Sequence, residues 1–106
     1  MFFSESDLSL ELLGVFKIKR TDFTHKSFDS RGYDSISIRL HGSAKFETKD
    51  KVFNIKKGDI LYIPKNADYR QTTSGETVFA VHFINYSHTS NSKLESLSIE
   101  DSSFLE

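Results

Sequence analysis

The strongest constraint on the fold of this chain is an alternation of apolar and polar residues with a period of two. In the run Ser-Ile-Ser-Ile-Arg-Leu at 35–40, every second residue is apolar and the residues between them are polar. Successive side chains of a β-strand point to opposite faces of a sheet. The pattern therefore predicts a strand with one apolar and one polar face, rather than a helix with a period of 3.6.

Further strands are predicted on both sides of this run. Together, the additional predicted strands cover residues 8–20, 23–28, 43–47, 52–55, 60–63, 68–73 and 77–86. Polar or glycine-containing turns separate them, including 48–51, 56–59 and 74–76. The strand at 77–86 is largely apolar on both faces, which predicts burial on both sides. Seven or eight short strands of this kind are typical of a β-sandwich or a partly closed barrel.

The composition narrows the class of protein further. A chain of 106 residues is expected to form one domain. Ten Phe and four Tyr without Trp favour a β-sheet core. The net charge of −1 does not favour nucleic acid or an anionic membrane as a direct partner. The absence of Cys excludes disulfides, thiolate metal sites and Cys nucleophiles. No apolar run approaches about 18 residues and the start lacks signal-peptide features, so we expect no membrane association and a cytoplasmic location.

The C-terminal part differs from the predicted barrel in composition. Residues 88–93 are polar, and Ser98 followed by Asp101 has the spacing of a helix-capping pair. We therefore predict a barrel with an N-terminal arm over 1–87, and a linker with the start of a helical segment over 88–106. A helix this short is marginally stable in water. We therefore expect either that the chain is a fragment of a longer protein or that its last helix docks elsewhere.

The run from residue 58 to 69 resembles the second sequence motif of the cupins. Gly58 is followed by five residues and then Pro64, which is the spacing of that motif. Asn66 takes the place of the turn glycine, which Asn can do because it tolerates left-handed backbone geometry. Tyr69 stands where the metal-binding histidine of the motif would be.

A wider pattern resembles the N-terminal effector-sensing domain of AraC-type transcription regulators. It consists of residues 31–34, 42–44, 58–71 and 79–83, in that order, and residues 99–105 resemble the start of the helical segment that follows. The resemblance implies an all-β, cupin-like double-stranded β-helix (jelly-roll) barrel with a short C-terminal helix, which senses a small molecule and forms a homodimer. It implies DNA binding only through helix-turn-helix units, which these residues do not contain.

Strand phase indicates which side chains face the barrel lumen. Ala80 and His82 share one face of their strand with Val78, and this face is smaller and more polar than the opposite one. Tyr69 and Gln71 share a face of the preceding strand. A lumen that admits a ligand is expected to be lined by such residues. We therefore predict that these two strands contribute to a ligand site in the lumen.

The resemblance adds Arg31, which could bind a hydroxyl or carboxylate, and Tyr33, which could stack on a sugar face. The predicted ligand-binding set for a sugar or similar small polar metabolite is Arg31, Tyr33, Tyr69, Gln71, Ala80 and His82. Structural roles remain open for several of these residues. His82 could be a core histidine, the two tyrosines could close the barrel ends, and Arg31 could pair with a nearby Asp.

Neither a metal site nor catalysis is expected. None of the four histidines forms a His-x-His pair, and the second-motif position carries Tyr69. We therefore expect no cofactor and no catalytic residues. One alternative is a free-standing, metal-independent cupin enzyme of isomerase or epimerase type, with Tyr69 and His82 as proton-transfer groups. A second is a structural or oligomerisation module whose lumen is filled by Phe side chains.

Overall fold

Two long strands, β3 (Asp34–Glu47) and β6 (Tyr69–Asn85), form the centre of the fold. The computed structural model describes residues 10–21, 24–28, 32–86 and 93–98, and for 24–28 it describes the backbone only. The other strands are β1 (Leu10–Arg20), β2 (Thr24–Phe28), β4 (Val52–Lys56), β5 (Ile60–Ile63) and β7 (Glu95–Leu97). The prediction of an all-β chain is confirmed.

All seven strands belong to one antiparallel sheet, which the two long strands divide into two parts, called here the front sheet and the back sheet. The front sheet has the order β1-β6-β3-β5-β7 and uses the 76–85 part of β6 and the 34–41 part of β3. The back sheet adds β2 against residues 69–73 of β6 and β4 against residues 43–47 of β3. The two sheets enclose the lumen, because the same pair of strands bends from one into the other.

The bend lies where Gly42 pairs with Glu76 and Ser43 with Gly75. The sequence predicted an interruption at Gly42 and a tight turn at 74–76, and both predictions were wrong because each strand continues through the bend. Gly42 has a φ of 77°, and a Cβ there would overlap the carbonyl oxygen of Gly75. Irregularities in the pairing on both sides of Gly42 produce the sharp change of direction.

The predicted turns at 48–51 and 56–59 are confirmed. The Thr48 amide donates to the Lys51 carbonyl at 2.8 Å, which closes the first turn. Gly58 has a φ of 89°, in the left-handed region that glycine adopts most readily. Asn66 has a φ of 63°, as its place in the Gly58–Pro64 motif predicted.

The largest group of buried apolar residues lies between the back sheet and β5. This apolar core consists of Ala44, Phe46, Phe53, Ile55, Leu61, Ile63, Ala67, Tyr69 and Leu94. A smaller cluster on the outer side of the front sheet joins Tyr62 and Phe83, with Ile36 and Val81 packed against them. Phe83 is buried on the outer face, but Phe79 on the same face is 41% exposed, so the prediction that both faces of 77–86 are buried holds only in part.

The C-terminal part contains an element that the sequence pattern did not predict. β7 pairs with β5, and Leu94 immediately before it is buried in the apolar core. The helix predicted to begin at Ser98 falls outside the described residues, and the division at residue 87 stays a prediction. In the segments that the structure describes, no helix is long and apolar enough to span a membrane.

Candidate functional site

The polar face of β3 points into the lumen. Ser35, Ser37 and Arg39 are all buried. In register, Ser37 pairs with Leu61 of the apolar core and with Ala80 of β6, and antiparallel partners share a face of the sheet. The lumen is therefore polar along the front sheet, and its polar atoms need partners inside the protein.

Glu76 is the centre of an ionic cluster at the bend. Its Oε2 accepts hydrogen bonds from Arg20 NH1 at 2.8 Å and from Gln71 Nε2 at 2.7 Å. Its Oε1 lies 2.7 Å from Arg39 Nε, in an ion pair that is not aligned as a hydrogen bond. We call Arg20, Arg39, Gln71 and Glu76 the ionic cluster. It connects β1, β3 and both parts of β6.

Arg39 extends the cluster into the lumen. Its NH1 donates to Ser37 Oγ at 3.1 Å, and its guanidinium lies 5.0 Å from the centre of the Phe46 ring. Burial lowers the pKa of Arg39, and the neighbouring Glu76 carboxylate acts in the opposite direction. Because the ordinary pKa of arginine is so high, the side chain stays charged at neutral pH. The lumen thus holds a buried cation beside two serines.

A cavity of about 50 Å³ lies next to these side chains. It is lined by Ile18, Arg20, Ser35, Ser37, Arg39, Phe46, Ile63, Tyr69, Gln71, Val78, Ala80 and His82. Four of the predicted ligand-binding residues lie on this wall: Tyr69, Gln71, Ala80 and His82. The cavity volume is well below the range of about 300–1,000 Å³ for ordinary small-molecule pockets, so the cavity does not accommodate a whole sugar.

Aromatic rings lie around His82, at one end of the cavity. Tyr33 stacks on the His82 ring with centroids 4.3 Å apart and planes inclined by 29°. Phe16 contacts the same ring at 4.8 Å. A Cβ at Gly14 would lie 2.7 Å from the Phe16 ring, so glycine there leaves room for the ring. We call Phe16, Tyr33 and His82 the aromatic stack. Arg31 lies outside the described residues.

The sequence analysis did not identify Arg20, Ser37, Arg39 or Glu76 as part of the site. A signal existed for Arg39, because it continues a polar face that a ligand-binding barrel can turn inward. Glu76 gave no comparable signal, since it was assigned to a turn. Its partner Arg39 is distant in sequence, and only the pairing of β3 with β6 brings them together.

A separate polar contact lies outside the lumen. The Tyr62 hydroxyl donates to Asp34 Oδ2 at 2.6 Å, and the Lys65 amide donates to Asp34 Oδ1 at 2.9 Å. Burial, followed by the interaction with Asp34, raises the pKa of Tyr62 well above its usual value. The nearby Asp considered above as a partner of Arg31 is Asp29 or Asp34, and the structure shows Asp34 bonded to Tyr62 and Lys65.

Within the described residues, no group of three or more His, Asp or Glu side chains is placed to hold a metal ion. No acidic residue is among the described residues that line the cavity. The inward positions of β3 carry two serines and an arginine instead of the ligands of a cupin metal site.

Comparison with known proteins identifies the fold. No protein-family model matches the chain, and no curated protein matches it in sequence. YhaK from Escherichia coli superposes with a TM-score of 0.69 at 11% identity, over 86% of this chain and 44% of YhaK. Unsaturated fatty acid bound ToxT from Vibrio cholerae superposes with a TM-score of 0.61 at 16% identity, over 91% of this chain and 43% of ToxT.

A cupin-2 domain containing protein from Shewanella frigidimarina matches with a TM-score of 0.52 at 13% identity, over 76% of this chain and 84% of that protein. The chain spans less than half the length of YhaK and ToxT. At these identities the likeness shows a shared architecture and no shared function. The antiparallel barrel, its register and these matches together establish that the chain has a cupin-like fold.

Proposed function

We propose that this chain is the effector-sensing domain of an AraC-type transcription regulator and that it binds a small polar molecule in its lumen. The observation that carries the proposal is the cavity, where buried polar side chains from β3 and β6 converge on one space. A barrel that served only as a packing module would gain stability from apolar side chains at these positions. The fold match to ToxT, bound to a fatty acid, supports a binding role.

The size of the cavity indicates how such a ligand would bind. At about 50 Å³ the space accepts one polar group, such as a hydroxyl pair or a carboxylate, beside Ser37 and Arg39. The rest of a sugar-sized effector would displace the aromatic stack at the His82 end. Binding would thus change the position of β1, which carries Phe16. A ligand that binds the two arrangements with different affinity shifts the balance between them.

We further propose that the domain binds its ligand without converting it. A general base needs an orienting partner within hydrogen-bond reach. Glu76 contacts residues that line the cavity, and both of its carboxylate oxygens are engaged within the ionic cluster. Tyr69 and His82 share the cavity wall, and the described residues that line it include no acidic side chain.

The test is a thermal-shift and calorimetric screen against pentoses, hexoses, short carboxylic acids and their amides. A ligand present at a hundred times its Kd adds about 2.7 kcal/mol to the free energy of unfolding. His82→Ala and Tyr69→Phe are expected to abolish the shift and leave the fold intact. Tyr86→Phe is the matched control, because Tyr86 is 60% exposed and lies outside the cavity lining.

A cavity-filling variant sharpens the test. Ala80→Val places additional methyl groups into the space and is expected to reduce ligand affinity, at a stability cost of about 1–3 kcal/mol from overpacking. Unchanged binding in this variant and in His82→Ala would place the ligand elsewhere. No shift across the whole panel would favour the structural-module alternative, and turnover of a panel compound would favour the enzyme.

A further inference from the structure

The polar side chains that line the lumen cavity can all donate hydrogen bonds. They belong to two arginines, two serines, a tyrosine, a glutamine and a histidine. The described lining residues include no Asp or Glu, so this part of the wall offers positive charge and no full negative charge. A wall of this composition favours a ligand group that accepts several hydrogen bonds.

The ionic cluster beside the cavity carries more positive than negative charge. Arg20 and Arg39 contribute two positive charges and Glu76 contributes one negative charge, which leaves one positive charge in excess. The Arg39 side chain is 3% exposed and that of Arg20 is 26% exposed, so water screens this excess only in part. Burial lowers the pKa of Arg39 most, Glu76 raises it, and the positive charge of Arg20 lowers it again. One carboxylate thus compensates two guanidinium groups.

The guanidinium group of Arg39 is only partly used by the protein. A guanidinium group carries N–H donors on all of its nitrogens. Nε of Arg39 faces Glu76, and NH1 donates to Ser37, which itself lines the cavity. Among the described residues, none accepts a hydrogen bond from NH2 of Arg39. Donors beside the cavity are therefore left for a ligand.

We propose that the lumen binds its ligand through a single carboxylate group, which Arg39 and Ser37 hold with Arg20 nearby. This inference rests on the proposed function and names the chemical class of its ligand. A carboxylate compensates the excess positive charge, whereas a pair of hydroxyl groups leaves it uncompensated. Charge-assisted hydrogen bonds are about twice as strong as neutral ones, and the planar guanidinium group matches a carboxylate in shape.

The charge count also separates a carboxylate from a phosphate. A phosphate monoester carries a charge of about −1.5 to −2 at neutral pH, so in this site it would replace an excess of positive charge by an excess of negative charge. The cavity of about 50 Å³ has room for one small group. A monovalent, planar carboxylate fits both the charge and the space.

The first test compares carboxylates with their own primary amides by calorimetry on the full chain. The probes are lactate, butyrate and cyclohexanecarboxylate, which differ in the size and polarity of the part that would lie at the rim. A primary amide has nearly the shape of the carboxylate but no charge. We expect the best carboxylate to bind about tenfold or more tightly than its amide.

Arg39→Gln should remove most of this preference, because one arginine then faces one glutamate. Since Arg39 is buried and its loss also affects stability, Arg20→Gln provides a second variant with the same charge count at a partly exposed position. Lys45→Gln is the matched control. It removes the same charge from a side chain that is 48% exposed and outside the cavity lining, and the ratio of the two affinities should stay within about twofold.

Equal affinity for every carboxylate and its amide would overturn the inference, and so would a preference that Arg39→Gln and Arg20→Gln both leave unchanged. Failure of the proposed function gives a different result. A neutral sugar that binds more tightly than any carboxylate, and whose binding is lost in His82→Ala, overturns the carboxylate inference and leaves the sensing role. No binding by any compound, charged or neutral, removes the sensing role and the inference with it.

Discussion

The two halves of the barrel interior are built by different physical means. The apolar core on the back-sheet side is held by close packing of side chains such as Leu61, which is fully buried. The half next to the front sheet holds the ionic cluster and the serines of β3. Close packing in the apolar half therefore stabilises the fold. The polar half instead contains paired charges, whose burial costs free energy, and it leaves a cavity. Replacing buried ion pairs by apolar side chains is often neutral or stabilising, so this polar half is not explained by stability alone.

The largest effect that separates the two halves is expected for Glu76→Gln. The substitution preserves shape but removes the charge that compensates buried Arg39, and loss of one partner of a buried pair costs about 3–5 kcal/mol. Urea unfolding measures the change in the free energy of unfolding. Glu47→Gln is the control, because its 3.6 Å contact with Lys45 is exposed and contributes less than about 1 kcal/mol. Equal losses in both variants would mean that water reaches the ionic cluster.

Leu61→Ala tests the apolar half. Truncation of a fully buried leucine is expected to cost about 3 kcal/mol, through lost burial and the cavity left behind. The same unfolding experiment on Leu97→Ala, a leucine that is 47% exposed on β7, should show a loss below about 1 kcal/mol. A loss at Leu61 as small as that at Leu97 would contradict the division of the interior into a packed and a polar half.

The smallest expected effect extends the comparison to the outer side of the front sheet, where Tyr62 bonds to Asp34. The pKa of Tyr62 is raised in the folded state, so the folded protein keeps a proton that the unfolded chain loses. This contribution is complete below the unfolded pKa of about 10, and stability falls above it by up to about 1.4 kcal/mol per pH unit.

Unfolding measured from neutral pH to about pH 11, above the unfolded pKa of tyrosine, checks this slope. Tyr62→Phe should remove it, whereas Tyr86→Phe should not, because Tyr86 is exposed although its hydroxyl bonds to Glu11. An alkaline slope that survives in Tyr62→Phe would assign the titration to another group.

Much of the fold could be predicted from residue pattern. The period of two identified the strands and the phase that brings Tyr69 and His82 to one wall, because alternation depends only on the backbone. The bend could not be predicted, since Gly42 and Gly75 serve equally in a turn and in a sharply bent strand. The orientation of β3 was also hidden. Its polar face points inward because Glu76 compensates Arg39, and that pairing depends on long-range register.

The shared bend limits how the lumen can change its size. Because β3 and β6 each contribute to both sheets, the two sheets cannot separate unless the pairing of Gly42 with Glu76 breaks. Additional volume must then come from side chains near the rim, such as Tyr33 and Phe16. A compound would accordingly bind only if it has a small group that fits into the cavity and a larger part that can lie at the rim.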